Sequence, residues 1–283
     1  MKFRTIFTLF NVVILSSFAF VFLMPVFVLG PSSTMDFWKD NWYLGLFFIL
    51  LIAGLNAFFL ANRRVFVLVE REDWGGLSAY LVKTMFGSDP SRPGRFRSSR
   101  VRLLINAYLL QSDAEGIARL ESELAAKRPD LLRKNALLFG VTRLLAGRSA
   151  EAESFLKDYL GAKDADFPDW LGFDYGFSLI MQKRIVEARP YVEAALLSRD
   201  AVLRALAAYM LGTLCSEAEA DEAARESARE KAAAARELLR KRFDEGRWAK
   251  EVERAKAEVH IVILSKLVDE SGRWLFDKSS STQ

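Results

Sequence analysis

A pattern that returns every 36 residues constrains this 283-residue chain more than any other feature. Leu103-Leu104, Phe139-Gly140, Tyr175-Gly176 and Leu211-Gly212 stand at that step, as do Glu115-Gly116, Glu151-Ala152 and Glu187-Ala188. Leu120, Leu156 and Val192 repeat it, and so do Leu124, Leu160 and Leu196. Apolar residues at helical spacing, with a small residue at one fixed offset, read as a pair of short helices around a tight turn. One such pair cannot bury its apolar face alone, so copies must stack into a solenoid. The expected fold class is all-α, with copies at about 97–132, 133–168, 169–204 and 205–240, the last grading into an Ala/Glu/Arg-rich helix.

The rest of the chain is organised around this block. Its hydrophobic content of 51% and formal charge of +4 conceal an uneven distribution, because the apolar excess sits in the first 62 residues. From Ile6 to Leu29 runs an uncharged stretch of 24 residues, and from Trp42 to Ala61 another of 20. About 20 apolar residues cross a bilayer core as a helix, so both stretches qualify as lipid-contacting spans. A cleaved signal peptide is the alternative for the first, but the run is long for one and Pro31 follows the only small residue available, Gly30. The reading is an uncleaved transmembrane hairpin over 1–64, followed by a juxtamembrane helix and basic loop over 65–96. The repeat domain spans 97–240, and a capping helix with a disordered tail spans 241–283.

Flanking charge sets an orientation. Lys2 and Arg4 precede the first span and Arg63, Arg64 and Arg71 follow the second, whereas the connector from Pro31 to Asn41 carries Asp36, Asp40 and only Lys39. Positive residues stay on the cytoplasmic side, so both termini and the repeat domain are expected on the cytoplasmic side of a bacterial inner membrane. Trp38, Trp42 and Tyr43 then mark an outer aromatic belt. Asn11 and Asn56 are expected at similar depth, where they could hydrogen-bond to each other, and Pro25 is expected to kink the first helix. Neither span carries Asp, Glu, Lys, Arg or His, which argues against a transport path.

The repeat unit resembles the tetratricopeptide repeat, most closely at 133–168, where Phe139, Gly140, Gly147, Ala152, Leu156 and Leu160 fall on that family's pattern positions. The step is longer than that family's usual one of about 34. Gln111 and Lys183 replace its turn glycine, and Asp164 and Asp200 its closing proline. The resemblance implies a concave surface made by the first helix of each copy. Here that surface would carry Val101, Ile105 and Tyr108, then Leu137, Val141 and Leu144, then Trp170, Phe173, Phe177 and Ile180, then Leu206 and Tyr209. Such an apolar, aromatic groove suits the apolar stripe of a partner protein's helix. Two other readings stay open: ordinary interhelix core, or filling by the chain's own last helix. That helix is expected from Trp248 to Asp269, with Trp248, Val252, Val259, Ile263 and Leu267 on one side. The Lys and Asn positions of the carboxylate-clamp versions of this fold are apolar or Thr here, which argues against a chaperone-tail receptor. The two-span anchor, the EDW-containing helix before the repeats and about four divergent copies also resemble membrane repeat proteins of spirochaetes. That resemblance implies, as an alternative, a structural role in a membrane assembly such as a flagellar motor collar.

Between anchor and repeats, Arg92, Arg95, Arg97, Arg100 and Arg102 fall together without an acid. A solvated loop, or attraction to anionic headgroups in a lipid-surface module, fits this run. Nucleic acid fits less well, since Phe96 is the only interleaved aromatic and no reading element follows. Trp74, Leu77 and Leu81 share one helical face ahead of it, as expected of a half-repeat cap. The chemistry of catalysis is missing. The one histidine, His260, lies in an apolar run, the one cysteine, Cys215, can form neither an intramolecular disulfide nor a cysteine zinc site, and no phosphate loop or nucleophile elbow occurs. Asp164 and Asp166 lie in turns beside Pro168 and suit caps. The chain reads as a non-enzyme without a cofactor or metal, a scaffold for a protein partner that could also self-associate.

Overall fold

The computed structural model describes residues 3–87, 97–162, 164–256, 258–262 and 264–277. Regular structure among the described residues is helical, without strands, and falls into two compact units, Met1–Ser88 and Asp89–Gln283.

The first unit holds α1 (Phe3–Asp40), α2 (Trp42–Glu70) and α3 (Trp74–Phe86). Aromatic contacts fix α1 and α2 as antiparallel. Phe7 and Phe10 meet Phe59 with ring centroids 5.5 and 5.3 Å apart, and Phe18 meets Phe48 at 5.8 Å. Further along α1, Phe22 lies over Gly45, where a Cβ would be 3.5 Å from the ring. The helix breaks at Gly30 (φ 80°, ψ 165°) and not at the expected Pro25. Beyond the break the chain turns back, so that Trp38 stacks on Phe22 with centroids 4.1 Å apart and planes at 15°. In a straight helix those residues would be about 24 Å apart. Most of the expected connector is therefore helical.

Asn11 and Asn56 do not bond through their amide N–H groups to each other. Each donates to the carbonyl four residues back on its own helix, Phe7 O at 2.9 Å and Ile52 O at 3.0 Å, which satisfies the donor locally in an apolar setting.

Among the described residues, three helices are long and apolar enough to cross a membrane: Phe7–Val28, Trp42–Glu70 and Ala201–Ala218. The third is 61% buried within the second unit, so its apolarity belongs to a protein core. On the first two, Phe20, Phe27, Leu50 and Leu60 are more than half exposed, a surface compatible with membrane association. After α2, Glu72 takes a left-handed conformation and Asp73 caps α3 by accepting from Gly76 N at 2.8 Å. Leu77, Leu81 and Met85 of α3 are buried and Trp74 is half-buried.

The second unit begins with α4 (Ser98–Leu110) and α5 (Ala114–Lys127), then the short α6 (Pro129–Lys134). Next come α7 (Ala136–Leu145) with α8 (Ser149–Lys157), and α9 (Pro168–Met181) with α10 (Ile185–Ala195). The fourth pair is α11 (Ala201–Met210), continued by a π-helical stretch (Leu211–Cys215) into α12 (Ser216–Ala218), with α13 (Glu222–Arg242). The chain ends in α14 (Glu245–Ala255), α15 (Val259–Val262) and α16 (Ser265–Phe276).

Local sequence explains the pairs. In α5, Asp113 caps the first turn through Gly116 N at 2.8 Å, Glu115 and Lys127 complement the helix dipole, and Ile117, Leu120 and Leu124 form the buried stripe. The turns of the first three pairs each place one residue in the left-handed region: Ser112 (φ 57°), Gly147 (φ 71°) and Lys183 (φ 64°). The next residue, Asp113, Arg148 or Arg184, returns to negative φ and begins the second helix. Only the middle copy uses glycine, and in the first copy the special position is Ser112, not Gln111.

The 36-residue glycines let paired helices approach. A Cβ on Gly140 would collide with the Leu156 side chain, one on Gly176 would lie 2.9 Å from Tyr191 Cβ, and one on Gly212 3.0 Å from Ala232 Cβ. Polar links then join successive pairs. Arg143 binds Glu121 at 2.8 Å, Arg184 binds Glu153 at 2.7 Å, and Lys231 binds Glu193 at 2.8 Å.

Candidate functional site

The nine residues expected to line a partner groove were Val101, Ile105, Tyr108, Val141, Trp170, Phe173, Phe177, Ile180 and Tyr209. The first six are buried, and Phe177, Ile180 and Tyr209 are half-buried and packed against the main core. They form core, not an open groove. Leu137 and Leu206 are buried with them.

The C-terminal helices cover much of this face. α15 packs on α7, while α14 and α16 pack on α11. The expected single helix from Trp248 to Asp269 is three pieces: α14 ends at Ala255, α15 covers Val259–Val262 and α16 starts at Ser265. Breaking there lets α15 enter the aromatic face. His260 is 1% exposed, with its ring 4.9 Å from Phe167 and 5.0 Å from Trp170. Neither imidazole nitrogen has a hydrogen-bond partner among the described residues, and burial lowers its pKa to about 4, so the ring is neutral at pH 7.

Polar groups fasten this C-terminal strap at three places. Arg102 donates to Asp166 at 2.9 Å, lies 5.3 Å over the Phe167 ring, and reaches Glu258 at 3.9 Å. The Ser98 hydroxyl is within hydrogen-bond distance of Asp166 (3.1 Å) and Asn135 (3.2 Å). Tyr209 donates to Glu270 at 3.4 Å, and its ring sits 6.0 Å from Trp274. Arg236 donates to the carbonyl of Asp277 at 2.6 Å and lies 4.9 Å over the Trp274 ring, holding the end of α16 to α13. Arg102, expected among the lipid-facing arginines, is thus engaged inside the second unit. Arg97 is exposed, Arg100 is half-buried, and Arg92 and Arg95 lie outside the described residues.

The two turn carboxylates are not caps. Asp166 is the partner of Arg102, and Asp164 pairs with Arg133 at 3.0 Å.

Two features escaped the sequence reading. Asp200 accepts the Trp170 indole N–H at 2.8 Å while capping α11 through Val202 N and Leu203 N, so one carboxylate ties the third pair to the fourth. Asp174 is fully buried on α9 with neither carboxylate oxygen hydrogen-bonded among the described residues, and burial pushes its pKa well above the usual carboxylate range. Its flanks, Phe173 and Tyr175, are apolar and buried, which was the only available signal.

No solved structure matches the chain. An uncharacterized protein of Treponema pallidum (strain Nichols) is 30% identical over 267 residues, covering 90% of this chain and 80% of that one. The family model described as an uncharacterised Treponema protein matches residues 116–277, from α5 through the end of the strap, and the chain belongs to that family.

Proposed function

We propose that this chain is a membrane-anchored scaffold that holds a partner protein beside a bacterial inner membrane. In this reading the four helix pairs form a superhelix like that of tetratricopeptide repeats. The apolar hairpin spans the bilayer with both termini and the repeats cytoplasmic, as the flanking Lys2, Arg4, Arg63, Arg64 and Arg71 favour.

One observation carries the reading. The same chain carries helix pairs with recurring turns and close-approach glycines and two helices whose large apolar side chains are exposed. With the aromatic face covered by the strap, the partner surface is assigned to the turn edge of the pairs. Leu110, Leu145 and Met181 each stand two residues before a left-handed turn residue, and each is at least half exposed (61%, 50% and 56%). Equivalent positions in successive stacked pairs make a ladder of large apolar side chains, which fits a protein contact better than isolated surface leucines do.

The test is crosslinking in native membranes, comparing wild type with Leu145→Glu/Met181→Glu at matched folded abundance. Loss of a specific crosslinked protein in the variant is expected. An unchanged crosslinking pattern would remove the turn edge as the partner surface.

A further inference from the structure

Charge in the first unit is sorted along the corner between α2 and α3. After the uncharged run from Trp42 to Ala61, α2 stays helical through Arg63 and Arg64 to Glu70. α3 then doubles back beside it, since the Arg64 guanidinium lies 4.9 Å from the centroid of the Tyr80 ring. Lys83 stands three residues beyond Tyr80 on the same helical face and is carried back toward the apolar run. The acids of the corner, Glu70, Glu72 and Asp73, stand at its other end beside Arg71. Glu70 is about 9 Å along the helix from Arg64.

Arg63, Arg64 and Lys83 are exposed, and none of the three has an ion-pair partner among the described residues. In the second unit comparable arginines are paired, as Arg143 is with Glu121 and Arg184 with Glu153. The face that the three cations adjoin is apolar. Ala53, Ala57, Leu60 and Arg64 fall at helical spacing on α2, and all four are exposed. A ligand lying along that face meets positive charge at one end and hydrocarbon along the rest. An amphiphilic anion matches both parts, whereas inorganic phosphate would use the first and leave the second bare.

We propose that Arg63, Arg64 and Lys83 bind the phosphate of an anionic phospholipid whose acyl chain lies along Leu60, Ala57 and Ala53. The guanidinium forks pair with phosphate oxygens, the Tyr80 ring sets the position of Arg64, and Lys83 adds a point charge. The inference rests on the reading that the apolar hairpin spans a bilayer, and it adds the class of lipid that the hairpin selects.

The test uses the full-length protein in a non-ionic detergent. Dioleoylphosphatidylglycerol or dioleoylphosphatidylcholine is added at equal concentration, and the lipid retained on the protein is counted by native mass spectrometry. Preferential retention of phosphatidylglycerol is expected. Arg63→Gln/Arg64→Gln/Lys83→Gln should lower it by about fivefold or more and leave phosphatidylcholine unchanged. Arg63→Lys/Arg64→Lys, which keeps the charge, should keep the preference. Arg229→Gln/Lys250→Gln/Lys266→Gln, which removes the same charge from the second unit, should keep it too. Equal retention of the two lipids, a preference unmoved by the first variant, or an equal loss in the second-unit variant would overturn the proposal. Displacement of phosphatidylglycerol by glycerol phosphate at equal concentration would also overturn it, assigning the site to a free phosphate compound. Flotation with phosphatidylcholine vesicles after alkaline carbonate separates this proposal from the reading beneath it. A protein that floats but shows no lipid preference loses the proposal alone. One that does not float loses the membrane reading and the proposal together.

Discussion

The imidazole of His260 meets the indole of Trp170 with ring centroids 5.0 Å apart and planes at 68°. Trp170 in turn donates its N–H to Asp200 at 2.8 Å. This places the strap, the third pair and the fourth pair in contact around one aromatic group. It also gives the face of the repeats an occupant from within the chain, joined to it by ring contacts as well as by the polar links of Arg102, Tyr209 and Arg236.

His260 makes the contact pH-dependent. Its folded pKa of about 4 lies below the ordinary value of 6.5, so the unfolded state binds the extra proton between those values. Stability contributed by neutral His260 is present above pH 6.5 and is lost as pH falls toward 4, by about 3 kcal/mol over the window. Urea midpoints of wild type and His260→Leu, measured from pH 7 to pH 4, should diverge, with the wild type falling more steeply.

Asp174 has the opposite slope. Its folded pKa is raised, so the folded state holds a proton that the unfolded state releases above the ordinary carboxylate value of 3.8. The cost grows as pH rises from there toward the folded pKa. Asp174→Asn should therefore raise the thermal midpoint at pH 7, with the gain shrinking toward pH 4. A gain independent of pH would mean that Asp174 is not protonated in the fold.

Lys183 occupies a left-handed turn position that glycine fills in the neighbouring copy. Lys183→Gly relieves a steric cost of about 1–2 kcal/mol, partly offset by the greater freedom of glycine in the unfolded chain. A net stabilisation of about 0.5 kcal/mol is expected from chemical denaturation. The same change at Gln182, which has negative φ, should destabilise.

Gly176 is a different case. A Cβ there would lie 2.9 Å from Tyr191 Cβ and 3.4 Å from the carbonyl of Ala188, which is backbone and cannot turn aside. Gly176→Val should cost about 1–3 kcal/mol by forcing α9 and α10 apart, read as a lower denaturation midpoint.

These positions separate what the sequence can reveal from what it cannot. The two apolar runs and the glycines at 140, 176 and 212 were legible, because helix length and close approach demand those residue types locally. The turn at Ser112 was not, since a serine in the left-handed region leaves no compositional mark and the copy is offset by one. The reversal at Gly30 looked like a connector, because a single flexible residue sets it. The family resemblance implied that Trp170, Phe173 and Tyr209 share a face, but the occupant of a face depends on long-range packing. The chain's own last helix was one of the occupants left open, but its division into three pieces was not legible.

The most direct measurement is hydrogen exchange of the full-length protein in detergent against a form ending at residue 242, with helical content matched by circular dichroism. If α14–α16 cover the repeat face, amides of α11 and of α9 around Phe173 should lose protection in the shortened form, while those of α5 keep theirs. Equal protection in both forms would contradict the strap as the occupant of that face.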